Sequence, residues 1–157
     1  VSDDDGRSWI EMIEDGSGLI VGTATADGEP RATRAWAVTL GADARHARVV
    51  VTADDATAVA GLRHGRIALT AAHVRTLRSV QLKGTVTLIE PVSAADLELM
   101  DHQTDAFFTA VHQVDGNPVE QLRRMLPHEV LAVEFDIDER FDQTPGPRAG
   151  DPLGGRS

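Results

Sequence analysis

Between Leu77 and Pro91 apolar and polar side chains alternate with hardly a break. Val80, Leu82, Val86 and Leu88 point to one side, while Ser79, Gln81, Lys83, Thr85 and Thr87 point to the other. A period of two residues is that of a pleated strand with one apolar and one polar face. Gly84 falls on the apolar face, where a strand glycine marks a bulge, a bend or the close approach of another backbone. The run is also much longer than the ~5–6 residues of an ordinary strand. Such a strand suits a small barrel, in which one strand turns a corner and serves both ends. Its polar face carries Lys83, the single lysine of the chain, and is the first place to look for a ligand.

The same patterning predicts the other elements. Val1–Gly6 reads as a solvated, mobile end, followed by a short helix over Trp9–Asp15 with Ser8 as its cap and Glu11 at the capping-box position. Leu19–Thr25 and Arg31–Leu40 are strands joined through Asp27-Gly28, a pair that accepts positive φ in a tight hairpin. After a turn over Gly41–His46, Ala47–Thr52 is a third strand. Asp54 or Asp55 caps a helix over Ala56–Arg63, and Arg66–Ala72 is the fourth strand. Following the long fifth strand, Ser93 caps a helix over Ala94–His112. Its apolar stripe is Leu97, Met100, Thr104, Phe107, Phe108 and Val111. Asp115-Gly116 ends that helix, Asn117-Pro118 opens a short one through Met125, and Glu129–Ile137 is the sixth strand. The run from Phe141 to Gly150 is rich in Pro and Gly and fits neither helix nor strand.

Tight hairpins make the early strands antiparallel, and no strand–long helix–strand rhythm supports a parallel sheet. The expected fold is mainly β with α: a six-stranded antiparallel barrel with peripheral helices. One domain covers residues 1–150, with 1–7 mobile and 151–157 a disordered tail.

Composition narrows the partners. The 157 residues carry a formal net charge of −10 and 4% aromatics with no tyrosine, which disfavours nucleic acid and anionic membrane surfaces. No apolar run reaches membrane-spanning length and no leader pattern is visible, so a cytoplasmic protein is the default expectation. There is no cysteine, which excludes thiolate chemistry.

Three segments, in order, resemble the FMN-binding split-barrel superfamily of pyridoxamine 5'-phosphate oxidase-like proteins. They are the strand from Gly18 with its Asp27-Gly28-Glu29-Pro30 turn, Thr33-Arg34-Ala35-Trp36, and Arg78-Ser79-Val80-Gln81-Leu82-Lys83-Gly84. The last looks like the superfamily's Arg-x-Val-x-Val-x-Gly strand. The resemblance covers roughly Gly18–Glu90. It implies a split barrel, a homodimer and flavin sites at the subunit interface. It further implies that Arg34 holds the flavin phosphate, with Thr52 at the end of the third strand. Ser79 takes the place of a flavin-contacting glutamine. Two departures stand out. Asp54-Asp55 replaces a basic pair that grips phosphate in many members, and the Arg-Leu-His-Asp-Arg ending of the vitamin B6 oxidases is missing. The Phe141–Gly150 segment looks like the signature of a subgroup, and no chemistry follows from it.

The residues themselves nominate the same face. Arg34 and Lys83, on strands that the pattern allows to be neighbours, form a fork and a point charge suited to phosphate or carboxylate. Trp36 either covers a flavin ring or fills the barrel. Ser79 and Gln81 offer hydrogen bonds to a flavin. His73 and Arg75, in the loop after the fourth strand, are substrate-contact candidates. Glu98/His102 and Asp101/Asp105 have the four-residue spacing of helix-borne metal ligands, but no third ligand or His-Glu-x-x-His motif accompanies them, so no metal is expected. The expectation is an FMN-binding oxidoreductase acting on a small molecule. The alternatives are the same fold holding F420, or haem with His73 as axial ligand, or a cofactor-free dimer used for binding or regulation.

Overall fold

The computed structural model describes residues 4–154, with side chains from Trp9 onward. In chain order the elements are α1 (Asp4–Glu14), β1 (Gly18–Ala24), β2 (Pro30–Leu40), β3 (His46–Thr52) and α2 (Ala56–Arg63). They continue with β4 (Arg66–Ala72), β5 (Ser79–Pro91), α3 (Ala94–Asp115), α4 (Val119–Arg123) and β6 (Val130–Asp142). The strands close a barrel in the order β1-β2-β3-β6-β5-β4, every pair antiparallel. This is the six-stranded antiparallel barrel with outer helices that the alternation predicts. Its interior is filled from every strand, by side chains such as Leu19, Val38, Val49, Leu69, Leu82 and Phe135.

Closure depends on β5, which pairs with β4 over its first half and with β6 over nearly its whole length. Gly84 sits at the turning point, where the register with β6 shifts between Lys83 and Gly84. A Cβ on Gly84 would stand 1.9 Å from the Asp136 carbonyl oxygen, so only glycine permits this approach. A second shift between Val86 and Leu88 ends the simple alternation. Leu88 is therefore 39% exposed and does not share the inner face with Val80 and Leu82; Ile89 packs on the core instead.

The barrel is split along β2. β1 pairs with β2 only as far as Ala35, so the second half of β2 has β3 on one side and no strand on the other. Helices close that edge with side chains. Gln103 of α3 accepts from the Val38 N–H at 2.9 Å and donates to the Val38 carbonyl at 2.8 Å, as a neighbouring strand would. Glu14 of α1 accepts from the Leu40 N–H at 2.8 Å. A buried edge left without such partners would cost about 1–3 kcal/mol per orphaned group.

A charged knot ties the start of α3 to β3, the strand paired with β2. Arg48 of β3 makes a bidentate pair with Asp96 at 2.8 and 2.7 Å, and its Nη1 donates to Glu90 and Glu134 at 2.8 Å each. Asp96 is also the reciprocal partner of Ser93 in the capping box of α3. The Arg48 guanidinium, followed by the Ser93 hydrogen bonds, holds the Asp96 carboxyl well below the usual carboxylate range against the opposing effect of burial. The same pair raises Arg48.

Several boundaries move. α1 begins at Asp4, about a turn before the expected Ser8 cap; acidic residues suit a helix N-terminus, and the three-residue run there favours extension. The part of the expected mobile end at residues 1–3 lies outside the described residues. α3 runs on to Asp115, and Leu97 is 48% exposed because the inward face of its first turns carries Asp96 and Gln103. β6 extends to Asp142, so Phe141 and Asp142 belong to a strand. Beyond it the chain turns back: Gly150 N–H donates to Asp142 O, Asp142 N–H to Asp151 O, and Leu153 N–H to Arg140 O. Residues 155–157 of the expected tail lie outside the described part. Among the described residues no helix is long and apolar enough to cross a membrane.

Gly84→Ala and Gln103→Leu each lower unfolding free energy in urea by about 2–4 kcal/mol, the first by steric strain and the second by orphaning Val38. Asp96→Asn costs about 2–4 kcal/mol at pH 7, as expected for breaking a largely buried pair. Because the folded carboxyl titrates below its unfolded value of about 3.9, its contribution is whole above roughly pH 5 and drains away as pH falls further. Denaturation midpoints measured from pH 7 downward decline more steeply in the native protein than in Asp96→Asn.

Candidate functional site

The outer surface of β2, β1, β4 and β5 is crossed by rows of facing residues. One row runs Arg34, Ile20, Thr70, Gln81, Phe141, and the next Ala32, Gly22, Ala68, Lys83, Glu139. Directly paired residues on adjacent strands point to the same side. Arg34, Gln81 and Lys83 therefore share one face. The expectation that the strands of Arg34 and Lys83 are neighbours is not met: the barrel closes β1 onto β4, which places both between β2 and β5. Three interstrand steps separate the two cations by roughly 14 Å, too far to hold one phosphate within a single copy. The ground between them is made of Gly22, Ala32, Ala68 and Thr70, with Ile20 standing out at 42% exposure.

On the β2 side, Arg34, Trp36 and Thr52 come together. Trp36 is the extra residue of a bulge between Ala35 and Ala37. It lies outside the barrel beneath α3, edge-on to Phe108 with ring centroids 6.3 Å apart, so it neither fills the barrel nor presents an open ring face. Its Nε1 donates to Thr52 Oγ1 at 2.8 Å, which leaves the threonine O–H to donate elsewhere. The Arg34 guanidinium carbon stands 6.0 Å from the Trp36 ring.

On the β5 side, Gln81 Nε2 donates to Thr70 Oγ1 at 3.1 Å, which keeps the amide oxygen available as an acceptor. Lys83 Nζ lies 4.9 Å over the Phe141 ring. Ser79 is bound into the neighbouring turn: its hydroxyl donates to Leu77 O and its N–H to Thr144 Oγ1. Thr70 and Phe141 complete this half of the face, and the sequence reading missed both. Thr70 was legible as a polar residue within an apolar strand; Phe141 was hidden by its place in a Pro/Gly-rich segment.

His73 and Arg75 stand apart in the β4–β5 turn. The His73 ring is paired with Thr76 Oγ1 at 2.9 Å, and Arg75 donates to Gln113 near the end of α3. Both line a small cavity of about 380 Å³ against α3 that contains none of Arg34, Gln81 and Lys83.

The two acids that replace a basic pair have structural roles. Asp55 caps α2, accepting from both the N–H and hydroxyl of Thr57, and those bonds lower its pKa. Asp54 accepts from the N–H groups of His128 and Glu129 and so fixes the approach to β6. An anion at this corner has to be gripped from the Arg34 side.

No protein-family model matches the sequence, and no curated protein is significantly similar to it. Solved structures are similar in fold. An F420 reductase superposes with a TM-score of 0.55 at 14% identity, covering 83% of this chain and 93% of that one. A Clostridium acetobutylicum protein of the pyridoxinephosphate oxidase family, related to general stress protein 26, gives 0.53 at 16% identity over 92% of both chains. HutZ, a haem storage protein from Vibrio cholerae, gives 0.52 at 10% identity over 87% of this chain and 92% of that one. The chain therefore has the split-barrel fold of the pyridoxamine 5'-phosphate oxidase-like proteins.

Proposed function

We propose that this protein is an FMN-binding oxidoreductase whose cofactor lies between two copies of the chain. The division of the outer face carries this reading. One half offers Arg34 and the Thr52 hydroxyl, the other Gln81 and Lys83, and a strip of mostly small residues with Ile20 joins them. A second copy packed on that strip by a two-fold axis brings the Arg34 half of one subunit against the Lys83 half of the other, which is how isologous interfaces build paired sites. Ile20 and its small neighbours suit such packing.

The donor set fits FMN in this arrangement. Arg34 and Thr52 would take the phosphate, and Gln81 with its free amide oxygen would face the ring's polar edge. Lys83 would place positive charge beside the ring. FMN when bound supplies the electron-transfer chemistry, and the chain's part is to bind, orient and set the electrostatics. Arg34 is the one cation placed for a phosphate, which favours FMN over F420 with its longer anionic chain. Haem is less well served, because His73 is paired with Thr76 and lies away from this face. The second reading, a cofactor-free binding dimer, draws its support from Asp54 and Asp55, whose carboxylates occupy the corner where a basic grip is expected.

Purified protein mixed with excess FMN retains flavin absorption through gel filtration, and it sediments as a dimer. Arg34→Ala/Lys83→Ala lowers FMN affinity by about a hundredfold, as loss of two charge-assisted contacts predicts. Ile20→Glu yields a monomer that does not retain the flavin. Protein that stays colourless sinks the FMN reading, and full affinity in the double variant sinks the site.

A further inference from the structure

Lys83, the single lysine of the chain, has a choice of partner on the outer face. Its direct neighbour across β5 and β6 is Glu139, and the next pair along the same side is Gln81 with Phe141. Side chains directly opposite stand ~5 Å apart at Cβ, against ~7 Å on the diagonal, so proximity and charge both favour a Lys83–Glu139 ion pair. The structure has the other contact. Lys83 Nζ lies 4.9 Å over the Phe141 ring, and the Glu139 carboxylate makes no ion pair or hydrogen bond with any described residue. Asp138, the other acid beside this stretch of β6, is held by Arg66 at 2.6 Å. Phe141 is fixed in turn by the returning chain: it pairs with Pro152, and the adjacent Asp142 N–H donates to Asp151 O.

We infer that Phe141 is a positioning residue: its ring seats the Lys83 ammonium on the Gln81 side of the face and withholds it from Glu139. A cation over an aromatic face is drawn by the ring quadrupole, and an exposed ion pair gains little more, because both of its charges stay solvated. Pairing with Glu139 also orders two long side chains, whereas the ring is already held by its backbone. The fixed ring thus decides between two seats of similar energy. On the ring, the ammonium stays an unneutralised charge beside Gln81; against Glu139 it is cancelled. The segment after β6 therefore acts on this face through Phe141, by folding back along that residue's backbone. The consequence for a cofactor rests on the flavin reading, in which Lys83 sets positive charge beside the ring. The seat itself does not.

Isotope-labelled lysine gives a single ε-methylene resonance in the full chain, that of Lys83. In the native protein its protons lie upfield of the free-lysine position, in the ring current of Phe141, and show no Overhauser contact with Glu139. In Phe141→Leu the upfield shift is lost and contacts to Glu139 appear. An unshifted Lys83 signal in the native chain, Glu139 contacts already present there, or their absence from Phe141→Leu overturns the inference, whether or not flavin binds. FMN titrations read the consequence. Phe141→Leu weakens binding about tenfold, as Lys83→Ala does. Adding Glu139→Gln to Phe141→Leu restores it to within about threefold of native, while Glu139→Gln changes the native and Lys83→Ala proteins by less than about threefold. Failure of the rescue, or an equal gain in all three backgrounds, overturns the inference. A shifted Lys83 signal in protein that does not retain FMN supports the seat and sinks the flavin reading.

Discussion

A barrel of six strands closes only where one strand can bend far enough to reach two neighbours, and here that place is Gly84. The backbone of β5 passes so near the Asp136 carbonyl that no side chain fits. From this contact the rest follows. β5 leaves β4 and continues along β6, β4 turns back to β1, and the sheet becomes a cylinder. Closure sets the strand order, and strand order decides which side chains can meet. Arg34 and Lys83 fall on one face but on strands separated by two others, so they stand apart within one copy of the chain.

The helices answer a different constraint. A split barrel has an open edge on β2, and backbone groups there need partners. Gln103 and Glu14 provide them, while the Arg48–Asp96 pair anchors the start of α3 on the neighbouring strand β3. With α3 in place, Phe108 closes over Trp36. The position of the indole near Arg34 and Thr52 is thus a consequence of sealing the edge.

Much of this was legible in the sequence. β-branched and apolar runs, alternating most clearly in β5, located all six strands, while Asp27-Gly28 marked a hairpin and Asp115-Gly116 the end of α3. Gly84 on an apolar face announced a close approach. What sequence could not show was long-range register. The β1–β4 contact that separates Arg34 from Lys83 joins segments about 50 residues apart and leaves no local trace. The bulge at Val86–Leu88 defeated simple alternation for the same reason, and Leu97 misled because the inward face of α3 is partly polar. Of the candidate site, Gln81, Lys83 and Arg34 were found as residue types on polar faces. Thr70, and Phe141 beneath Lys83, required the pairing of β4 and β6 with β5. The Phe141–Gly150 segment was visible as a motif, yet its fold depends on backbone bonds to β5 and β6 that composition does not encode.

The central claim is that each cofactor site takes one half from each of two subunits, and complementation tests it most directly. Arg34→Ala and Lys83→Ala proteins, each deficient in FMN binding alone, are mixed under conditions that exchange subunits, and bound flavin is measured by absorbance. In a mixed dimer one site loses both residues and the other regains both. The account predicts that mixing restores FMN binding, to one intact site in each heterodimer. If subunits exchange and no binding returns, Arg34 and Lys83 do not act across the interface, and the two-copy site is wrong.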